Sequence, residues 1–348
     1  MRPYKQYLEQ RLPMKSLRFY DINDLRLENA DRPVSAPGEI RLKTASVGIC
    51  GSDIHYYCEG STDGQKLGHP LVLGHEFSAW IDEGPDKGQL VAVDPALPCG
   101  RCEFCQEGNP NLCSELRFAG SDETDGALRE YLTWPVTALY PLPPGFTPQE
   151  GALLEPLGVA IHATRLGKIS PGMTVGVFGS GAIGLLTIQM AKLAGASRIF
   201  ATDRLDQRLV YAQKSGATDV LPADGNEAGR ILAETNGRGL DIVFEAAGDD
   251  GMAVESSIES AKRGAMVVLI GIPSKDETTF SASSARRRGL TIKIARRMKH
   301  TYPTAIRLVS QGKVDLKSLI THEYALVHFQ SAFETAARRE GIKVIINL

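Results

Sequence analysis

The sequence predicts an α/β protein of two domains, a β-rich one followed by a doubly wound parallel sheet. Three observations carry this reading. At 348 residues the chain is too long for one ordinary domain and comfortable for two. From about Met14 to Ala160, short β-branched segments such as Glu39–Val47 and Gln89–Val93 are separated by Gly and Pro, the mark of an all-β domain with long loops. From Gly172 onward, buried strands and helical segments alternate regularly.

In chain order, residues 1–13 read as an extension with a frayed end, because Met14-Lys-Ser-Leu-Arg-Phe-Tyr20 makes a natural first strand. The β-rich domain then runs to residue 160. Residues 161–297 form the parallel-sheet domain, with six expected strands at Thr174–Gly179, Arg198–Asp203, Asp219–Leu221, Asp241–Ala246, Ala265–Ile270 and Leu290–Ile294. Helices are expected between them, notably at Gly181–Leu193 and Leu205–Gln213. Residues 298–348 mix helix and strand and are expected to return to the first domain. No internal repeat or low-complexity tract interrupts this order.

Composition excludes several classes of function. A net charge of −2 gives no electrostatic reason to expect nucleic acid or an anionic membrane as partner. The basic stretch Arg286–Arg288 reads as a solvated strand end or an interface rather than a nucleic-acid contact. No apolar run approaches the roughly 18 residues of a membrane span, and Met1–Arg11 lacks the apolar core of a secretory signal. The cytosol is therefore the expected compartment, where thiols stay reduced. Six cysteines then need a reason other than disulfides.

The segment Val175-Gly-Val-Phe-Gly-Ser-Gly-Ala-Ile-Gly184 places G-x-G-x-x-G between a strand and a helix, with Asp203 ending the next strand. Gly179 permits the tight turn, Gly181 lets backbone approach a pyrophosphate, and Gly184 allows close helix–sheet packing. The helix N-terminus offers free N–H groups to phosphate. Asp203 can accept from both adenosine ribose hydroxyls and repels a 2′-phosphate, so NAD is expected over NADP; the adjacent Arg204 argues weakly the other way.

Cys99, Cys102, Cys105 and Cys113 crowd one Gly/Pro/Asn-rich loop, matching a closed tetrahedral structural zinc site. A catalytic zinc needs three ligands and a replaceable position. Cys50, His75 and Glu76 are candidates, with Glu155 a further oxygen ligand. Spacing alone does not join these distant positions, and each singly reads as a buried cysteine, a core histidine or a solvated acid.

Gly48-Ile-Cys-Gly-Ser-Asp-Ile-His-Tyr-Tyr57, Gly74-His-Glu-Phe77, the four-cysteine loop, Leu154-Glu-Pro-Leu157 and the glycine fingerprint follow one another in an order that resembles the zinc-dependent medium-chain alcohol dehydrogenases. Within that superfamily the chain looks most like the polyol (sorbitol or L-iditol) dehydrogenases, from about Met14 to the C-terminus. The resemblance implies a GroES-like catalytic domain, a Rossmann domain, and an active site in the cleft between them. It implies two zinc ions per chain, Cys50, His75 and Glu76 holding the catalytic one, with Glu155 binding directly or through water. Ser52 would take the substrate proton and His55 relay it to solvent, while Asp53 would accept from the far nitrogen of His75. Gly179, Gly181, Ile183, Gly184, Asp203, Arg208 and the loop Ile270-Gly271-Ile272 would hold NAD, the last under the nicotinamide. Tyr56, Glu155 and Arg297 would touch polyol hydroxyls.

The departures fall at two places. The stretch Trp80–Leu90 is shorter than the family pattern. Phe-Arg-Tyr ahead of Thr-Trp-Pro appears as Arg296-Arg297-Met298 ahead of Thr301-Tyr-Pro303, so a donor to substrate is methionine. Cys58 has no family role and reads as a packed thiol. The expected activity is hydride transfer from C2 of a polyol to NAD+, giving a ketose, by a cytoplasmic homo-oligomer, a homotetramer rather than a dimer. Alternatives are another secondary alcohol (L-idonate, butanediol or L-threonine) and, from a different class, a non-catalytic binding protein on the same fold, which a zinc titration would discriminate.

Overall fold

The computed structural model describes residues 13–62, 65–121, 123–248, 251–273 and 277–348; the expected extension ahead of Pro13 lies outside the described residues. The chain divides into two compact units, one of Met1–Glu155, Tyr302–Ser310 and Asp315–Leu348, the other of Pro156–Thr301 and Gln311–Val314. The division falls inside the helix Leu154–Gly167.

The first unit is built on a seven-stranded sheet. Its path runs through Leu139–Pro141, Leu90–Val93, Glu76–Ile81, Glu39–Gly48, Lys343–Asn347 and Ile320–Ala325, with Tyr131–Pro135 also paired to Glu39–Gly48. The strand Glu39–Gly48 thus meets three antiparallel neighbours, and its second half is buried. Last in sequence, Lys343–Asn347 lies inside the sheet, between Glu39–Gly48 and the edge strand Ile320–Ala325: Ile346 stands opposite Val47, and both are fully buried. Leu17, Phe77, Leu132, Trp134 and Phe333 complete this core. Each large apolar side chain so buried contributes roughly 1.5–3 kcal/mol.

The expectation of an all-β first domain is corrected by helices. Gly51–Glu59 is helical because Asp53 reaches back to the Cys50 N–H at 2.9 Å, capping the first turn, and Gly60 closes the last with a φ of 74°. Pro148–Ala152 is started by a Thr147/Glu150 capping box.

The second unit is a six-stranded, all-parallel sheet in the order Asp219–Pro222, Arg198–Asp203, Thr174–Phe178, Leu240–Glu245, Ala261–Leu269, Thr291–Ile294. The strand expected at Ala265–Ile270 begins earlier, at Ala261, and a register irregularity between Leu240 and Ile242 absorbs the extra length. Helices Ala182–Leu193 and Asp206–Ser215 stand within two residues of their expected limits. Phe178, Phe200, Val243 and Val267 fill the core. The strand order reverses between Thr174–Phe178 and Leu240–Glu245, the switch point beyond whose carboxyl ends ligands bind in such sheets.

Arg286–Arg288 is not a strand end. These residues form the last turn of the helix Ala282–Arg288, where cations meet the negative end of the helix dipole, and Arg288 donates to the Glu259 carbonyl at 3.1 Å. No helix among the described residues is long and apolar enough to cross a membrane.

Candidate active site

Cys50 follows the strand Glu39–Gly48; His75 immediately precedes, and Glu76 opens, the strand paired with it, where Glu76 stands opposite Gly48. The pairing brings the ligand atoms of Cys50, His75 and Glu76 within 4.8 Å of one another. Glu155 begins the helix Leu154–Gly167 nearby in the same unit, outside that tight group. His75, Glu76, Asp53 and Glu155 are all buried.

So much buried acid needs positive charge. Burial and then the Glu76 carboxylate push the Cys50 thiol up to about 12, and burial pushes Glu155 up to about 8. No described residue donates a hydrogen bond to the Glu155 carboxylate. The cation that faces the group is Lys343, itself 5% exposed, which donates to both Glu76 oxygens at 2.8 Å and to the Ile49 carbonyl at 3.1 Å. A divalent ion bound here would draw off the protons that burial keeps on Cys50 and Glu155, and would share the charge of Glu76 with Lys343. A sulfur, an imidazole nitrogen and a carboxylate oxygen at this spacing suit zinc.

Asp53 does not bond to His75 as expected. Its Oδ1 lies 3.9 Å from His75 Nδ1, beyond hydrogen-bond reach. Its oxygens instead accept from the backbone N–H groups of Cys50 at 2.9 Å and Gly74 at 3.2 Å, tying together the two turns that carry the ligands. Ser52 and His55 stand one turn apart on the helix Gly51–Glu59, and His55 Nδ1 is 3.2 Å from Glu59. Tyr56 is 4% exposed, with its ring 6.1 Å from Phe19 in the core.

A second group joins Cys99, Cys102, Cys105 and Cys113, whose sulfurs also lie within 4.8 Å of one another. The short helix Glu103–Gln106 and the 3-10 turn Pro110–Leu112 shape the loop. The N–H of Cys99 donates to Cys113 Sγ at 3.2 Å and that of Cys102 to Cys99 Sγ at 3.4 Å, contacts that suit thiolates. All six cysteines are free, so no disulfide competes with a metal here. Cys58 is exposed near the end of its helix, which corrects its reading as a packed thiol.

In the parallel-sheet unit the glycine turn joins Thr174–Phe178 to Ala182–Leu193. Gly179 has a φ of 93°, and a Cβ on Gly184 would collide with its carbonyl, so helix and strand pack at glycine distance. Gly181 is the N-cap and has no side chain to occupy the first-turn N–H groups, while Ile183 follows within that turn. Asp203 ends its strand with Oδ2 accepting from Ser180 N–H at 2.8 Å and Oδ1 from Leu205 N–H at 2.9 Å; Arg208 Nη1 lies 3.9 Å from it. Ile270, Gly271 and Ile272 leave the strand Ala261–Leu269 at the same carboxyl edge of the sheet.

Two family models match the chain. Residues 36–144 match the alcohol dehydrogenase GroES-like domain, and residues 182–311 match the zinc-binding dehydrogenase domain. A sorbitol dehydrogenase of Bacillus subtilis (strain 168) is 34% identical over 342 residues, 96% of this chain and 97% of that protein. The chain belongs to the zinc-dependent medium-chain alcohol dehydrogenases. The D-xylulose reductase A of Aspergillus niger is 37% identical to this dehydrogenase over 336 residues, 92% of this chain and 93% of its own. A short chain alcohol dehydrogenase of E. coli CFT073, solved with its cofactor NADH, superposes with a TM-score of 0.89 at 29% identity, covering 97% of this chain and 99% of that one.

Sequence reasoning missed two buried charges of this dehydrogenase. Lys343 is the lone charge in Gly-Ile-Lys-Val-Ile-Ile, and a lysine inside so apolar a strand must be paired. Glu245 ends the buried strand Leu240–Glu245, which carries a second acid, Asp241, at its other end. Met298, which stands where the family carries a hydroxyl donor, is buried at 7% exposure, and Arg297 beside it has a left-handed backbone, φ 54°.

Proposed function

We propose that this dehydrogenase oxidises a pentitol or hexitol of the sorbitol, xylitol or L-iditol kind at C2, giving the ketose, with NAD+ as acceptor. The observation that supports this best is Glu155, a buried carboxylate beside Cys50, His75 and Glu76 that takes no hydrogen bond from the described residues. A polyol brings a second hydroxyl to satisfy it, whereas a simple alcohol leaves it unpaired at a cost. The relatives named for sorbitol and D-xylulose point to the same substrate class.

Zinc held by Cys50, His75 and Glu76 would supply Lewis acidity at the substrate hydroxyl, and NAD+ would accept the hydride. Ser52 takes the hydroxyl proton and hands it to His55, one turn along the same helix, whose Nδ1 is held by Glu59. The carbinol C–H electron pair leaves as hydride and the O–H proton leaves through Ser52, so charge and protons balance. Glu155 accepts from the neighbouring hydroxyl, and Arg297 and Tyr56 complete the polyol contacts. Asp203 accepts from the adenosine ribose, Arg208 lies beside it, and Gly179, Gly181, Ile183 and Gly184 receive the pyrophosphate. Cys99, Cys102, Cys105 and Cys113 hold a structural zinc. The enzyme works in the cytoplasm as a homotetramer. The edge strand Thr291–Ile294, with Ile294 76% exposed, offers an open strand edge to a second copy.

A panel of sugar alcohols, 2-butanol, 2,3-butanediol, L-idonate and L-threonine, each with NAD+ and NADP+, tests the reading. Polyols with NAD+ should give the highest kcat/KM. Arg297→Ala should cost polyol oxidation about 1.5–3 kcal/mol, the range of a hydrogen bond to a charged group, and leave 2-butanol untouched. Equal efficiency on 2-butanol and on polyols would refute the polyol assignment.

A further inference from the structure

Glu245 has no part in the chemistry above. It ends the strand Leu240–Glu245, beside the point where the sheet order reverses, and is 2% exposed. Its Oε1 accepts from the backbone N–H groups of Ala247 at 2.7 Å and Gly248 at 2.9 Å, and its Oε2 accepts from that of Gly271 at 3.2 Å. Its main-chain carbonyl accepts from Ile270 N–H at 2.8 Å and Gly271 N–H at 3.2 Å. One residue therefore brackets two loops, the turn after its own strand and the turn after the neighbouring strand Ala261–Leu269.

The loops also interlock. A Cβ on Gly271 would collide with the Gly248 backbone, and one on Gly248 would lie 2.5 Å from the Ile272 carbonyl oxygen. Just past this fastening, Ile272 is 44% exposed. A large apolar side chain held out by a pinned loop, at the carboxyl edge of a sheet switch point, can pack against the face of a flat ring.

We propose that Glu245 is a positioning residue for the nicotinamide: its carboxylate fixes the loop Ile270–Ile272 so that the Gly271 backbone and the Ile272 side chain meet the ring at the geometry hydride transfer requires. This rests on NAD+ as the acceptor under Proposed function, with the loop Ile270–Ile272 beneath its nicotinamide as the family resemblance implies. The carboxylate is suited to the task because it accepts from three N–H groups at once with the added strength of its charge. A glutamine offers one oxygen and turns an N–H2 donor toward one of those N–H groups.

The test uses full-length, zinc-loaded wild type, Glu245→Gln and Glu245→Asp. NADH affinity is read by fluorescence titration, KM for NAD+ and for polyol by steady-state kinetics, and the hydride step by the isotope effect with C2-deuterated polyol. Both variants should raise the NADH Kd and the KM for NAD+ roughly tenfold, equivalent to about 1.4 kcal/mol. The polyol KM at saturating NAD+ and the zinc content should stay unchanged, and the isotope effect should rise as hydride transfer becomes limiting. If Glu245→Gln does not fold, Glu245→Asp, which keeps the charge and shortens its reach to Gly271 N–H, carries the same expectation. A folded variant with unmoved NADH Kd and KM for NAD+, or one altered only in melting temperature, overturns the proposal while the function stands. Failure of the wild type to bind NADH overturns the underlying reading, and this proposal with it.

Discussion

Replacing Lys343 with methionine keeps the length of the side chain and deletes its charge in a buried place. Lys343 is 5% exposed and Glu76 1% exposed. The three ammonium contacts, two to Glu76 at 2.8 Å and one to Ile49 at 3.1 Å, are lost together. Breaking a buried ion pair from one side costs about 3–5 kcal/mol, because the remaining charge is left unpaired. At ~2 °C per kcal/mol for a large chain, zinc-free Lys343→Met should melt about 6–10 °C below zinc-free wild type. Zinc supplies the missing charge, so the gap should narrow when the metal is restored, and the stabilisation by zinc should be larger in the variant than in the wild type. Thermal melts with and without chelator, on Lys343→Met, Glu76→Gln and the double variant, give the coupling energy directly. A zinc-free variant as stable as zinc-free wild type, or a gap that zinc widens, would refute the argument that Lys343 balances the carboxylates of this group.

Three further outcomes are expected. Asp94 is pushed up to about 6 by burial, against one hydrogen bond from Ala96 N–H, so the folded chain binds a proton that the unfolded chain releases between pH 4 and 6. Stability then falls as pH rises through that window, and Asp94→Asn should stabilise the protein by about 1–3 kcal/mol at pH 7 and by nothing below pH 4, read from denaturant midpoints at the two pH values. Asp203→Ser should raise the KM for NAD+ and relax discrimination against NADP+; it should also loosen the glycine turn, since Asp203 holds Ser180 N–H at 2.8 Å. A wild type that already prefers NADP+ would contradict this. Two zinc ions per chain should leave in order under chelator, the ion of Cys50, His75 and Glu76 first with loss of activity, and that of the four cysteines later with unfolding of its loop; metal analysis alongside circular dichroism would expose a single phase.

What the sequence determined by itself is what lies close along the chain. The six parallel strands are legible because each is a short apolar run bounded by turn residues, and strand–helix alternation admits few topologies. The dinucleotide turn is legible because strand, glycines and helix are contiguous, and the four-cysteine group because Cys99 to Cys113 share one loop. Residue periodicity says nothing about which distant strands become neighbours. The tertiary structure decided that Lys343–Asn347 lies against Glu39–Gly48, and with it that Lys343 faces Glu76 across 267 residues of sequence. It decided that Asp53 serves the backbone of Cys50 and Gly74 rather than His75, a matter of about an ångström that spacing cannot resolve. It decided also that Glu245 closes on Gly271, because two parallel strands end side by side. A buried charge is visible in sequence only as a lone polar letter in an apolar strand; its partner is chosen by strand pairing, and that pairing is a property of the whole sheet.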